Sequence, residues 1–459
     1  MLKRKVESDI EFWIEHDRDA LLVTGARQVG KTFTIRTVFE KLGIDFVEFN
    51  LLDDSRVAEC FAKRTSISNL LERLSYLTDK EMIAGKTFIF FDEIQVCKDI
   101  VTQIKFLVDE GSFRYVLSGS LLGVEIKHLR SAPVGYLRVI NMYPLDFEEF
   151  LQVFKISSKG IPMLRNCFET RTPVDEMIHR QLIEYVHVYL NVGGMPSAVE
   201  IYAKTKDMRQ VMAEHDKIKD IYEMDFTQYE EEDKKLHLHT IYELIPKEIN
   251  DTNKRFKISD IKIGSSRKNE DVAARMSRVE GSFLWLTNAG VAIPVYNAEE
   301  PKLAIMLNDE NTFFKLFLSD VGMLTTMAGK GTKYKIVNED PDINKGAIYE
   351  NFVAQELYAH GYAKNVFYFS TKKMGELDFI IDYKNSLLPI EVKSGKNYNR
   401  HSALNNVLNV RNYGIKEAFI LTNDNISVDG NRVYYPIYMT MFIKNDAELG
   451  IVDPGPAVF

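Results

Sequence analysis

Short apolar runs alternate with amphipathic stretches over the first 120 residues, the pattern of strands interleaved with helices. Ala20-Leu-Leu-Val-Thr24 reads as a strand, Lys31–Leu42 as a helix and Phe46–Leu51 as a second strand. Thr87-Phe-Ile-Phe-Phe has no polar alternation, as expected of a strand covered on both faces in a parallel sheet. It runs directly into Asp92-Glu93, and Tyr115–Ser120 supplies a further strand. From about 151 to 230 the period is helical; Gln181–Leu190 leads to a Gly193-Gly194 turn, and Pro196 starts the next helix. The stretch 236–305 predicts helices at Leu236–Ile245, which Pro246 should end or kink, near Ile258–Ile261 and over Glu270–Ala289, then a ribbon at Val291–Tyr296. After Asp320 an α-β-β-β-α-β order follows: helix Gly346–His360, strands Val366–Phe369, Leu377–Tyr383 and Leu387–Val392, helix His401–Arg411, strand Ala418–Leu421.

At 459 residues the chain exceeds one core, and the pattern divides it at 1–150, 151–232, 233–310 and 311–459. The fold class expected is multidomain α/β. An apolar share of 45% with 27% charged residues is that of a globular protein. The net charge of −8 argues against an overall basic surface. Three cysteines without C-x-x-C spacing point to neither a disulfide framework nor a zinc site. With no signal-peptide pattern at the N-terminus and no apolar run the length of a membrane span, a cytoplasmic protein without a membrane partner is expected.

The chemistry is concentrated behind the first strand. Gly25-Ala26-Arg27-Gln28-Val29-Gly30-Lys31-Thr32 matches G-x-x-x-x-G-K-[ST], and strand–loop–helix is the context in which backbone N–H groups and a helix N-terminus cradle phosphates. Lys31 would pair with the outer phosphates, Thr32 would ligate Mg²⁺, and Phe33 opens the helix beside the nucleotide. Asp92, at the C-terminal end of a buried strand, is placed to hold the same Mg²⁺, and Glu93 to polarise the attacking water. Ser118 or Ser120 can contact the γ-phosphate or that water; Ser-Gly-Ser is equally a turn.

These motifs, together with Met142-Tyr-Pro-Leu-Asp-Phe-Glu-Glu-Phe150, Tyr189-Leu-Asn-Val-Gly-Gly-Met-Pro196, Phe283-Leu-Trp-Leu-Thr-Asn-Ala-Gly290 and Lys315-Leu-Phe-Leu-Ser-Asp-Val-Gly322, resemble the bacterial and archaeal AAA-type P-loop ATPases that carry a C-terminal domain of unknown function. The resemblance spans most of the chain. It implies an additional-strand ATPase core, a helical lid over 151–232, ATP and Mg²⁺ as cofactors, and Glu93 as catalytic base. Where many relatives have an arginine after the glycine preceding the Tyr-Pro-Leu segment, this chain has Tyr136; Arg130 and Arg138 are the neighbouring substitutes. Without such an arginine, in cis or from a homo-oligomeric neighbour, turnover falls by orders of magnitude.

Three helices and a ribbon over 233–310 predict a winged helix-turn-helix. Between Thr252 and Arg278 stand eight basic residues against three acids, a stripe able to track DNA or another nucleic acid, or else the solvated face of an interdomain or protein-binding module. The C-terminal order resembles the restriction-endonuclease-like fold. Alternation puts Glu391 and Lys393 on one strand face, with Asp378 on the neighbouring strand and Glu350 on an apolar helix stripe. Asp378 and Glu391 are hard metal ligands, and Lys393 can orient a water. Glu350, Asp378, Glu391 and Lys393 resemble the PD-(D/E)xK nuclease pattern; the same pattern occurs in inactive structural modules.

Overall fold

The computed structural model describes residues 2–62, 65–120, 135–154, 156, 159–229, 232–250, 281–298, 314–329, 331–337, 345–363, 365–395 and 401–445. They divide into two compact units. The first comprises Met1–Tyr143 and Leu284–Val291. Its parallel sheet contains β1 (Ala20–Thr24), β2 (Phe46–Asn50), β3 (Phe88–Asp92), β4 (Arg114–Gly119) and β5 (Leu137–Asn141), in the order β2-β3-β4-β1-β5. β3 is buried along its whole length, whereas edge strand β2 alternates. Phe49, Phe91, Ile104 and Leu117 are among the side chains of the core on one face. Strand β4 lies between β1 and β3. The phosphate loop leaves β1 and the acidic pair ends β3, so β4 separates them at hydrogen-bonding distance from both. The helix Val6–His16 is fastened to β4 by Arg114, which donates to the carbonyls of Trp13, Ile14 and Asp17 and lies 4.3 Å from the Trp13 ring. Burial brings that guanidinium down to about 10.

The second unit comprises Pro144–Phe283 and Ala292–Phe459. Its helices include Phe147–Val153, Glu176–Val192, Pro196–Thr205, Met208–Tyr229 and Glu232–Asn250. Pro246 does not end the last of these: Ile241, Tyr242 and Ile245 are fully buried, and their packing outweighs one lost backbone bond. The mixed sheet holds β6 (Ala292–Asn297), β7 (Phe314–Leu318), β8 (Phe367–Thr371), β9 (Gly375–Tyr383), β10 (Ser386–Val392), β11 (Ala418–Thr422), β12 (Ser427–Asp429) and β13 (Arg432–Pro436). The order is β12-β13-β11-β10-β9-β8-β6-β7. Helix Lys345–Leu357 precedes β8 and helix Ser402–Leu408 precedes β11, as the C-terminal pattern predicted.

The ribbon expected at Val291–Tyr296 is one strand of this sheet. It pairs antiparallel with β7 over Ala292–Tyr296 and parallel with β8 at Tyr296 and Asn297, so it is built into the sheet rather than standing as an isolated wing. Of the other expected winged-helix elements, Leu236–Ile245 falls within the helix Glu232–Asn250 and residues 281–288 are helical, while the helix near Ile258–Ile261 and the basic stretch 252–278 lie outside the described residues.

Three of the sequence strings that carry the family resemblance meet inside this unit. Leu145 N–H donates to the Gly194 carbonyl at 2.7 Å, and the Tyr189 hydroxyl to the Leu145 carbonyl. Asp320 accepts from the N–H of Gly194 at 2.6 Å and of Met323 at 2.8 Å, capping helix Val321–Met327. A Cβ on Gly194 would stand 2.0 Å from the Leu145 oxygen, and one on Gly322 2.6 Å from the Gly193 nitrogen, so both positions require glycine for close approach. Buried Lys333 closes the joint, donating to the carbonyls of Asn191 and Gly322 and to the Thr325 hydroxyl.

Candidate nucleotide-binding site

The loop 25–32 bends where the sequence permits it: Gly25 has φ +148°, Gln28 +65° and Gly30 +94°. A Cβ at Gly25 would lie 2.1 Å from the Met142 carbonyl oxygen, so the chain just after β5 and the loop pack with no side chain between them. Helix Lys31–Leu42 starts at Gly30, its N-terminus directed into the loop. The Lys31 ammonium, 8% exposed, donates to the Gly25 and Ala26 carbonyls at 3.0 and 2.9 Å, folding back over the loop where outer phosphates would pair with it. Phe33, on the first helical turn, is half exposed. Arg27 donates to the Ser120 hydroxyl at 3.3 Å.

The Thr32 hydroxyl lies 3.0 Å from both carboxylate oxygens of Asp92, and the Ser118 hydroxyl, on the intervening strand, donates to the same carboxylate. A hydroxyl and a carboxylate so close form a hard oxygen donor set that fits Mg²⁺. Glu93 turns out of β3 in the left-handed region, φ +57° and ψ +43°, which is uncommon for a residue with a Cβ. Its carboxylate accepts from the Gln95 amide at 2.5 Å. Gln95 is buried, and among the described residues its Oε1 has no hydrogen-bond partner, a loss of about 1–3 kcal/mol for a buried acceptor.

Two contacts had no clear mark in the sequence. Arg4 donates to the Val29 carbonyl at 2.9 Å and to the Tyr143 carbonyl at 2.7 Å, clamping the loop from the N-terminus. Gly290 approaches so closely that a Cβ there would be 3.1 Å from the Ala26 nitrogen. Gly290 ends one of the resemblance strings; Arg4 is a local basic residue with no pattern around it. Of the substitute arginines, Arg138 does not reach this site. Arg138 pairs with Asp17 at 2.8 Å and aligns with Leu21, near the start of β1 rather than its phosphate-loop end. Tyr136 is further back still, its carbonyl accepting from Ala20, and its hydroxyl is pushed up by the charge of Asp109. Arg130 lies outside the described residues.

In the other unit, the β9–β10 register sets Ile390 opposite Phe379, which brings Asp378 beside Glu391. Asp378 accepts from the Val392 N–H at 2.9 Å, and Lys393 pairs with Glu391 at 2.5 Å. Burial first, then the charges of Asp378 and Glu350, raise the Glu391 carboxyl, with Lys393 opposing them. One Glu391 oxygen is buried without a hydrogen-bond partner. Glu350 faces a cation the sequence did not reveal: the Lys315 ammonium, 1% exposed, stands 3.7 Å from Glu350 and 2.8 Å from Glu376. Among the described residues, the acid–histidine group with ligand atoms within 4.8 Å of one another is Glu223, His239 and Glu243, bridged by Lys219; Glu350, Asp378 and Glu391 do not close to that distance as a set.

Residues 17–151 match the family described as AAA domain, residues 183–334 a domain of unknown function (DUF8612), and residues 345–441 another (DUF4143). The parallel sheet and the loop geometry agree with the first match, which supports an AAA-type P-loop fold for residues 17–151. No curated protein matches the chain. Similar solved structures include the Walker-type ATPase PABY2304 of Pyrococcus abyssi, 15% identical, covering 71% of this chain and 96% of that one with a TM-score of 0.39. Cdc6p from Pyrobaculum aerophilum is 13% identical over 74% of this chain and 96% of its own, with a TM-score of 0.28. Among the described residues no helix is long and apolar enough to cross a membrane.

Proposed function

We propose that the chain binds ATP with Mg²⁺ and hydrolyses it slowly, as a nucleotide-controlled switch. The observation that carries this reading is the Thr32–Asp92 contact, a hydroxyl and a carboxylate brought together from opposite sides of β4 at the mouth of a phosphate loop. Thr32 and Asp92 would hold the metal, which offsets charge on the β- and γ-phosphates. Lys31 exchanges its two loop carbonyls for phosphate oxygens. Ser118 keeps Asp92 oriented, and Glu93 takes the proton from the attacking water. The nucleotide state then sets affinity for a protein partner, a second copy or a nucleic acid.

Hydrolysis by wild type, Lys31→Ala and Glu93→Gln, with and without mixed DNA, tests this. Lys31→Ala should lose ATP binding; Glu93→Gln should bind and not turn over. Wild-type turnover in Glu93→Gln would remove the assigned base. Stimulation by DNA lost in both variants would make nucleic acid the partner.

A second reading, an ATP-licensed nuclease, draws on the buried Glu391 oxygen that lacks a hydrogen-bond partner beside Asp378, an oxygen donor set suited to a divalent cation. Lys393 would orient the water. It predicts Mg²⁺- or Mn²⁺-dependent cleavage lost in Asp378→Ala with ATP binding kept. Intact duplex, single-stranded and branched DNA and RNA would count against it.

A further inference from the structure

We propose that Gln95 is a positioning residue for ATP hydrolysis, holding the Glu93 carboxylate in the orientation from which it activates water; the inference rests on Glu93 being the base. The acidic pair at the end of β3 is organised by two separate sets of donors. Thr32 and Ser118 engage Asp92. Among the described residues, the side chain that engages Glu93 is Gln95. A carboxylate only accepts, so the amide must present its N–H₂ to Glu93. Its oxygen is thereby turned to a buried position without a partner. A side chain placed for stability alone would not be expected to sacrifice half its hydrogen-bonding capacity. Glu93 is held a second time by its backbone, in a left-handed conformation at the head of the 3₁₀ turn Ile94–Val96.

Rigidity decides between orienting and latching. A latch must let go, so its holder must be able to move. Gln95 is 3% exposed, and Ile94 beside it is fully buried in the core of the sheet. A fixed donor on a fixed turn orients a general base as a carboxylate orients a catalytic imidazole. Gln95 touches neither nucleotide nor water in this account; it acts through Glu93.

Steady-state ATP hydrolysis with Mg²⁺, together with binding of a fluorescent ATP analogue, tests this in the full chain. Gln95→Met keeps the size and removes the donor. It should lower kcat at least tenfold and leave KM and analogue affinity within twofold. Gln95→Asn, with the amide one carbon shorter, should recover part of the kcat. If Gln95→Met fails to fold, Gln95→Glu serves, with the same loss of kcat and retained binding. A kcat within twofold of wild type while Glu93→Gln is inactive overturns the inference and leaves the base assignment standing. Wild-type turnover in Glu93→Gln instead removes the base, and with it the role of Gln95.

Discussion

Lys315 shows how a single side chain can alter the reading of a site. Glu350 on an apolar helix face calls for a metal, a cation or hydrogen bonds, because a buried carboxylate is costly alone. The protein supplies a lysine from β7, a strand that precedes the nuclease-like pattern. That cation is almost fully buried and also meets Glu376. Lys315→Met should therefore destabilise this unit by about 3 kcal/mol, since it removes this cation from beside the buried Glu350 carboxylate. Glu350→Gln added to it should restore much of the loss. Thermal melts of the two variants check the prediction; equal melting of Lys315→Met and wild type would show that the pair contributes nothing to stability.

Among the elements, what was legible in the sequence is what is encoded locally. The phosphate loop is eight consecutive residues, and β3 announces itself by an unbroken apolar run ending in two acids. The C-terminal helices and strands follow their periodicity within a few residues. Contacts between distant segments have no such mark: Arg4 on Val29, Lys315 on Glu350 and Gly290 on Ala26 bring together residues far apart in the chain. The Gly193-Gly194 and Asp320–Gly322 strings were visible as family-like, yet their joint role is seen only when Asp320 meets Gly194. Lys333 in that joint has a ready pH signature. Burial lowers it from its ordinary value of 10.5 to about 7. Between those values the unfolded chain binds the proton that the folded chain releases, so this residue's contribution to stability rises with pH across the window and is flat below about 7. The slope cannot exceed about 1.4 kcal/mol per pH unit. Melts from pH 6 to 10 should show that rise in wild type and its loss in Lys333→Met.

For the whole molecule, the rate of the proposed hydrolysis depends on whether an arginine is supplied to the γ-phosphate. A P-loop NTPase without one supplied to the γ-phosphate is expected to turn over on the order of 10⁻⁴–10⁻³ per second. In this chain the position expected from the resemblance to carry arginine is Tyr136, whose carbonyl accepts from the first residue of β1. β1 then runs four residues to the phosphate loop, about 13 Å at strand rise. A side chain at 136 therefore starts from the wrong end of the sheet to serve its own nucleotide. Tyr136→Arg should leave turnover at low protein concentration unchanged, within twofold. If the arginine of relatives acts on a neighbouring subunit, the same variant should gain turnover as concentration rises, while wild type stays flat. Initial rates over a hundredfold range of protein concentration distinguish these behaviours. An increase in the dilute variant would mean that position 136 reaches the phosphates within one chain, against the strand register.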